Sequence, residues 1–392
     1  MNVRPIAGLL FLGLVASAGV LTARQAPASA SPDYSKEIAA AREAAFQSYE
    51  HGFAVPNGTL YRPPAFSWAI AVDGKLVAAD AYGFADLEER LPATTETKFR
   101  IGSVSKTLTS AGLAVLYEQG KLDLDVPIQR YVPKFPDKGA AITLRELAGH
   151  LGGVRNYLEG DFLPGQDNQK HYASLQDALD IFAKDPLVAP PGTKFNYSVF
   201  GFCLIGMSLE TASGESYPAL MRDRVFAPLG MRNTTVDENF KIIDRRARFY
   251  DLTPDGGYRN ANYIDSSYKW PAGGFISTPS DLAVFGAALA RPGFLKPSTL
   301  ALLFTAQRAS SGESTGYGMG WFVHEKGQSK VFPEHMFNHG GDIEGGQAAI
   351  AIFPDYNIVV AYALNTDSIN ARGAATAMLI AQSFIDRKKG SN

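Results

Sequence analysis

The residues that decide how this chain is interpreted are FRIGSVSK, residues 99–106, which lead into an apolar, helix-forming segment that ends at Gly120. Ser103 and Lys106 lie three positions apart, so one turn of helix places both on the same face. A serine hydroxyl is a weak nucleophile, and a desolvated lysine amine can act as its base. If Ser103 opens the helix, its N–H and the helix dipole point at developing negative charge. Alternatively, the pattern is a helix cap beside a solvated lysine.

A second segment, PPGTKFNYS at residues 190–198, delivers a tyrosine to the start of another predicted helix. Ser198 can cap that helix, because its side chain can accept a hydrogen bond from a free N–H of the first turn. Tyr197 could then exchange a proton with Ser103 and Lys106, first as a base and then as an acid toward the leaving group. The alternative is a partly buried tyrosine that is hydrogen-bonded to backbone.

A third segment, FNHGGD at residues 337–342, precedes the last predicted strand pair. It contains His339 and Gly341, and glycine lets backbone approach a ligand closely. If this segment lies beside Ser103, the N–H of Asp342 can act as the second donor of an oxyanion hole.

Strand signals lie near both ends of the chain, and helix signals dominate its middle. A hairpin is predicted over residues 66–86 about the turn Asp73-Gly74, and later strands at 318–324, 347–353 and from 358. Helices are predicted at 35–50 and 368–387. We therefore predict an α/β (α+β) fold: residues 31–102 and 310–392 form a domain with an antiparallel sheet, and residues 103–309 form a mainly helical domain carrying the Ser and Tyr motifs.

Composition excludes several classes of protein. The 392 residues are 46% hydrophobic and carry 37 Lys and Arg against 39 Asp and Glu, a net charge of −2. This balance gives no basic surface for nucleic acid, and the apolar content excludes a disordered chain. Cys203 is the only cysteine, so no intrachain disulfide can form. Its apolar surroundings favour a buried thiol over a reactive one.

The first thirty residues have the pattern of an export signal. Arg4 supplies a positive start, residues 9–15 (LLFLGLV) are apolar, and small-x-small sites end at Ala18 and Ala30. We therefore predict a signal peptide at residues 1–30 and a periplasmic or secreted protein. The alternative is an uncleaved membrane anchor.

The order of these motifs resembles that of the serine β-lactamases and penicillin-binding proteins, on the side of class C β-lactamases, family VIII esterases and D,D-carboxypeptidases. More narrowly, the chain looks like the serine β-lactamase-like proteins of mitochondria and their bacterial relatives. The segments that carry the resemblance are FRIGSVSK, GKLDLDVPIQRYVPKFP, HLGGVRNY, RRARFY, YKWPAGGFISTPSDLAVFG and NHGG.

The resemblance implies roles for individual residues. Ser103 corresponds to the acylated nucleophile, Lys106 to the lysine that helps to deprotonate it, and Tyr197 to the tyrosine of the second motif. His339 opens the third motif, where other members carry lysine; Gly341 corresponds to the glycine of that motif, and Asp342 to the residue that donates the second oxyanion N–H. No metal or organic cofactor is implied.

The sequence departs from the family at three points that concern substrate. Val199 stands where an asparagine that contacts the substrate amide is usual, and the serine of H-x-S-G is missing from His150-Leu151-Gly152-Gly153. Histidine at position 339 offers a less reliable positive charge for a substrate carboxylate than lysine. These departures weaken the case for an efficient β-lactamase.

The resulting functional hypothesis is an exported serine acyl hydrolase that works through an acyl-enzyme on a small molecule or peptide, most plausibly as a peptidase or amidohydrolase. A β-lactamase, a D,D-carboxypeptidase and an esterase are the alternatives. An alternative of another class is a homo-oligomeric, filament-forming scaffold, because the mitochondrial relatives form filaments. Ser314 lies in a G-x-S-x-G pattern, but its polar loop lacks the strand–turn–helix context of a nucleophile elbow.

Overall fold

The computed structural model describes residues 32–55, 58–162, 168–367, 369, 371 and 373–391. The predicted signal peptide at residues 1–30 lies outside these ranges. Among the described residues, no helix combines the length and apolar character needed to cross a membrane.

The strands and the α-helices are each numbered in chain order. The strands are β1 (Phe53–Ala54), β2 (Leu60–Tyr61), β3 (Ala65–Val72), β4 (Lys75–Asp86), β5 (Leu91–Pro92), β6 (Phe99–Arg100), β7 (Thr235–Val236), β8 (Tyr250–Leu252), β9 (Tyr258–Asn260), β10 (Phe275–Ser277), β11 (Phe322–His324), β12 (Met336–Ile343), β13 (Gly346–Phe353) and β14 (Ile358–Leu364). The α-helices are α1 (Ser35–His51), α2 (Ser105–Glu118), α3 (Leu144–Ala148), α4 (Val199–Ser213), α5 (Tyr217–Met221), α6 (Ala227–Leu229), α7 (Trp270–Gly273), α8 (Pro279–Leu289), α9 (Pro297–Phe304) and α10 (Ala374–Gly390).

Within the described residues, seven strands form one antiparallel sheet in the order β11-β12-β13-β14-β3-β4-β5. The last strand, β14, pairs with β3 near the start of the chain, with Val359 opposite Ala71. The two ends of the chain therefore meet in one sheet, as predicted.

Local turn chemistry accounts for the predicted hairpin. Asp73 and Gly74 both have positive φ, 52° and 82°, which is the conformation of a tight two-residue turn between twisted strands. The strand predicted over 318–324 is shorter than expected and covers only Phe322–His324. Gly320 takes the left-handed conformation (φ 84°), which interrupts extended backbone before that point. The last helix begins at Ala374 rather than at residue 368.

Helices cover both faces of the sheet. Side chains alternate along β14, so Val359 and Tyr362 face opposite sides. Gly286 lets α8 pack closely against Val359 on one face. On the other face, the Tyr362 hydroxyl donates to carbonyls just before α10, and Phe46 of α1 packs edge-on against the ring of Tyr82.

The helices of the middle segment form a second layer around α2. Helix α2 contacts α4 and α7 and is buried over most of its surface. Gly206 of α4 leaves room for Pro271 of α7, because a Cβ there would overlap the proline ring. The short turn at residues 102–104, just before α2, lies against strand β12 of the sheet. The junction of the two layers thus holds both the Ser103 motif and the segment FNHGGD.

Candidate active site

Ser103 lies in a 3-10 turn, Gly102–Val104, that continues directly into α2 at Ser105. The prediction placed Ser103 at the start of the α-helix itself; the structure places it one tight turn earlier. Gly102 has φ 46°, which lets the chain turn sharply between β6 and this helix start. The Ser105 hydroxyl accepts a hydrogen bond from the Phe275 N–H and so fixes the turn against β10.

Two glycines allow β12 to approach this turn. A Cβ on Gly341 would overlap the carbonyl oxygen of Ile101 and lie 3.1 Å from the Ser103 nitrogen. A Cβ on Gly102 would lie 2.6 Å from the Asp342 nitrogen. Side chains at either position would separate the strand from Ser103. The backbone nitrogens of Ser103 and Asp342 are therefore held on the same side of the site.

The direction of the Asp342 N–H follows from the register of the hairpin. Ile343 and Gly346 flank a two-residue turn between β12 and β13, and Asp342 stands opposite Gln347. Hydrogen-bonded and non-hydrogen-bonded pairs alternate along antiparallel strands, so Asp342 forms a non-hydrogen-bonded pair with Gln347. Its N–H points away from β13, toward an edge where β11 no longer pairs, since β11 reaches only Asn338.

Lys106 is completely buried, and its Nζ lies 2.9 Å from the Ser103 Oγ. The same nitrogen donates to the carbonyl oxygen of Ala272 in α7 at 2.7 Å. Among the residues that the structure describes, no carboxylate pairs with this amine, and burial lowers the pKa of Lys106 from 10.5 to about 7. Near neutral pH a large fraction of this amine is unprotonated and can accept the Ser103 proton.

Tyr197 precedes α4, and the Ser198 hydroxyl caps that helix by accepting from the Gly201 N–H, as predicted. The Tyr197 hydroxyl lies close enough to Ser103 for the serine to lower its pKa, and the Tyr197 ring centroid is 4.7 Å from the Lys106 Nζ. Burial raises the pKa of Tyr197 well above 10. Tyr197 is thus a neutral phenol near pH 7 that can donate and relay a proton.

His150 forms hydrogen bonds with the residues on both sides of Tyr197, a role that the sequence did not indicate. Its carbonyl oxygen accepts from the Asn196 N–H at 2.8 Å, and its Nδ1 accepts from the Ser198 N–H at 3.1 Å. Its ring lies 4.3 Å from the Tyr197 ring, centroid to centroid. Burial and the nearby Lys106 lower the pKa of His150 well below its usual range, so the ring is neutral.

His339 is buried and neutral. Its Nδ1 lies 2.6 Å from the Gly340 carbonyl oxygen, which can only accept, so Nδ1 carries the proton. Nε2 then accepts from the Tyr317 hydroxyl at 3.0 Å. Burial, with a smaller effect of Lys106, lowers the pKa of His339 to about 3. The residue therefore presents no positive charge to a substrate carboxylate at neutral pH.

Ser103 opens into a cavity of about 310 Å³, a volume at the lower end of the range for small-molecule sites. All the predicted site residues except Lys106 line it, and Lys106 lies behind Ser103. The remaining walls come from β11, β12, β13, β14 and the segment before α10: Phe322, Gly340, Gln347, Ala348, Tyr362, Ala371 and Gly373.

The structure thus brings together residues that are far apart in sequence, and adds three that sequence reasoning missed. These are His150, Ala272 and Tyr317, which support Tyr197, Lys106 and His339 respectively. In the sequence, His150 is only the first residue of HLGG, and its left-handed backbone (φ 58°) cannot be inferred from that pattern. Ala272 acts through its carbonyl, so no side-chain signal could have identified it.

The chain is similar to known proteins over most of its length. The Beta-lactamase family model matches residues 56–383. The chain is 32% identical to the human mitochondrial serine beta-lactamase-like protein LACTB, over 78% of this chain and 70% of that protein. It is 28% identical to penicillin-binding protein 4* of Bacillus subtilis, over 76% and 67% of the two chains.

Among solved structures, the D-amino acid amidase of Ochrobactrum anthropi superposes with a TM-score of 0.73 at 24% identity, covering 91% of this chain and all of that one. This likeness concerns the fold. The family model, which matches most of the chain, and the identity to LACTB show that the protein belongs to the beta-lactamase family, a family of serine hydrolases that includes penicillin-binding proteins.

Proposed function

We propose that this protein is an exported serine acyl hydrolase that acts through an acyl-enzyme, with amides or peptides as its preferred substrates. The observation that carries the proposal is the buried Lys106 amine, 2.9 Å from the Ser103 hydroxyl and with a pKa near 7. A buried lysine with no ion-pair partner in the described part of the chain is costly to a fold, and its use as a base gives a reason to keep it.

In the acylation step, the Ser103 Oγ attacks the substrate carbonyl carbon as its proton passes to the unprotonated Lys106. The N–H groups of Ser103 and Asp342 donate to the oxyanion, which stabilises charge that develops only in the transition state. Tyr197 donates its proton to the leaving nitrogen or oxygen and is reprotonated from Lys106. The carbon–leaving-group bond breaks, which leaves an ester on Ser103.

In the deacylation step, a water molecule attacks the ester carbonyl and gives its proton to the unprotonated Lys106, either directly or through the Tyr197 hydroxyl, which accepts the water proton as it passes its own proton to Lys106. The proton then returns to the Ser103 oxygen as the acid product leaves. Val199 is buried at the start of α4, and its N–H donates to the Asn156 side chain at 3.2 Å. Because Val199 supplies no amide group to a substrate, and His339 supplies no charge, a β-lactam with its carboxylate fits less well than an uncharged amide or ester.

Intact-mass spectrometry with a fluorophosphonate tests the proposal. We expect one adduct, located at Ser103 by peptide mapping, and none in Ser103→Ala. Ser314→Ala is the matched control: it removes the other candidate serine, in an exposed loop, and keeps full labelling. The mass of protein purified from the native host also reports whether residues 1–30 have been removed. A folded protein that is never labelled at Ser103 contradicts the proposal.

The scaffold alternative predicts a different result for the same variant. A filament-forming scaffold keeps its polymers in Ser103→Ala, and its cellular phenotype does not change. Sedimentation of wild-type and variant protein, together with turnover of an activated ester, separates the two functions. Loss of turnover in the variant supports the enzyme, whereas polymers without any turnover in the wild type support the scaffold.

A further inference from the structure

The charge of the cavity wall indicates which substrates it accepts. Four of the residues that line it can titrate: Tyr197, Tyr362, His339 and Asp342. Burial raises the pKa of Tyr362 well above 10, so this phenol stays protonated. Tyr197 stays protonated and His339 stays neutral near pH 7, for the reasons given above. Among the described residues that line the cavity, none is Lys or Arg. A carboxylate is thus the charged group that the wall offers.

A second carboxyl group lies close to Asp342. The Gln347 Nε2 is 3.4 Å from the Asp342 Oδ2 and 3.3 Å from the Asp367 carbonyl oxygen. The Asp367 Oδ1 is buried without a hydrogen-bond partner in the described structure. Burial, and repulsion from Glu344 and Asp342, raises the pKa of Asp367 to about 7. A cation bound here would favour the ionised forms of both carboxyl groups.

These two carboxyl groups alone would not define a site, but Asp342 is in the wall of the cavity into which Ser103 opens. The Asp342 N–H is the proposed donor to the substrate oxyanion, and the Asp342 side chain is attached to the Cα that is bonded to this same nitrogen. In an α-amino acid, the amino nitrogen likewise branches from the carbon next to the reacting carbonyl. The Asp342 carboxylate is therefore well placed for an ammonium on the α-carbon of the acyl group.

We propose that the substrates are amides or esters whose acyl part carries a free α-ammonium group, with Asp342 as its anchor and Asp367 as a supporting negative charge. This specificity rests on the proposed function, because it needs acylation at Ser103. It assigns Asp342 two roles, since its backbone serves the oxyanion and its side chain selects the substrate.

Hydrolysis of alanine p-nitroanilide, in each configuration, is compared with hydrolysis of the N-acetyl counterpart, which has the same leaving group and no charge. We expect kcat/KM to be at least about tenfold higher for the free amine in one configuration, as one charge-assisted hydrogen bond provides. Asp342→Asn keeps the backbone N–H and should lower kcat/KM for the free amine by about 10- to 100-fold, mainly through KM. The acetylated substrate should change by less than about threefold. Asp355→Asn, the same change in a turn outside the cavity, should leave both substrates unaffected.

The outcomes separate this inference from the proposed function. Equal or faster hydrolysis of the acetylated substrate by the wild type overturns the inference, as does an equal loss on both substrates in Asp342→Asn. Turnover of neither alanine derivative, with Ser103 still labelled by the fluorophosphonate, also overturns it. Absence of labelling at Ser103 instead overturns the proposed function.

Discussion

The ionisation of Lys106 should govern the rate at which Ser103 is acylated. Burial lowers the pKa of this amine from 10.5 to about 7, and its unprotonated form is the base. With a pKa of about 7, roughly 9% of the amine is unprotonated at pH 6, about half at pH 7 and roughly 91% at pH 8. The acylation rate should therefore rise about tenfold from pH 6 to pH 8 and then reach a plateau.

The assay is the second-order rate of labelling by an uncharged fluorophosphonate, followed by intact mass. Lys106→Arg retains a cation that stays protonated, so this variant should label at least about a hundredfold more slowly and lose the rise near pH 7. Asp367, whose pKa is also raised to about 7, supplies the matched control: Asp367→Asn should keep the wild-type profile. A rate that is flat from pH 6 to 8, or that rises only near pH 10, would refute the role of Lys106.

Three further changes test the supports of the site. Gly341→Ala should reduce labelling by about a hundredfold, because its Cβ overlaps the Ile101 carbonyl and moves β12 from Ser103, while Gly340→Ala, with open space around its Cβ, should stay within about twofold in the same assay. In His150→Asn, the new side chain tolerates the left-handed backbone, but the ring that packs against Tyr197 is lost. Amide turnover should fall by about tenfold while KM stays unchanged. Turnover of an activated ester should fall by less, because its leaving group needs less help from an acid. Equal losses on amide and ester would argue against this positioning role. Lys106→Met tests stability, because the pKa of Lys106 is lower in the folded than in the unfolded chain. The free energy of unfolding of the wild type should therefore rise with pH above 7. Measured by urea unfolding, it should increase by about 2 kcal/mol relative to that of Lys106→Met between pH 7 and pH 9. Parallel stability curves for the two proteins would mean that this lysine titrates normally.

Local chemistry made much of the fold predictable from sequence. The hairpin about Asp73-Gly74 and the Ser198 cap each depend on residues within a few positions of one another, and both are present. The meeting of the first and last strands in one sheet followed from where the strand signals lie.

Properties that depend on packing between distant segments could not be predicted in this way. The sequence shows a histidine at position 339 but not its neutral state, which arises because burial, with a smaller effect of Lys106, lowers the pKa of the ring. Similarly, His150 and the segment that carries Tyr197 lie in different loops, and only the folded chain brings them into hydrogen-bond contact. The start of α2 moved by two residues because Gly102 closes a 3-10 turn first.

A crystal structure of the protein phosphonylated by the fluorophosphonate tests the central claim most directly, because the adduct's phosphoryl oxygen stands in for the substrate oxyanion. We predict phosphorus bonded to the Ser103 Oγ, with this oxygen about 2.7–3.1 Å from the backbone nitrogens of Ser103 and Asp342 and with Lys106 and Tyr197 still in contact with Oγ. An adduct on another residue, or an oxygen directed away from both nitrogens, would contradict it.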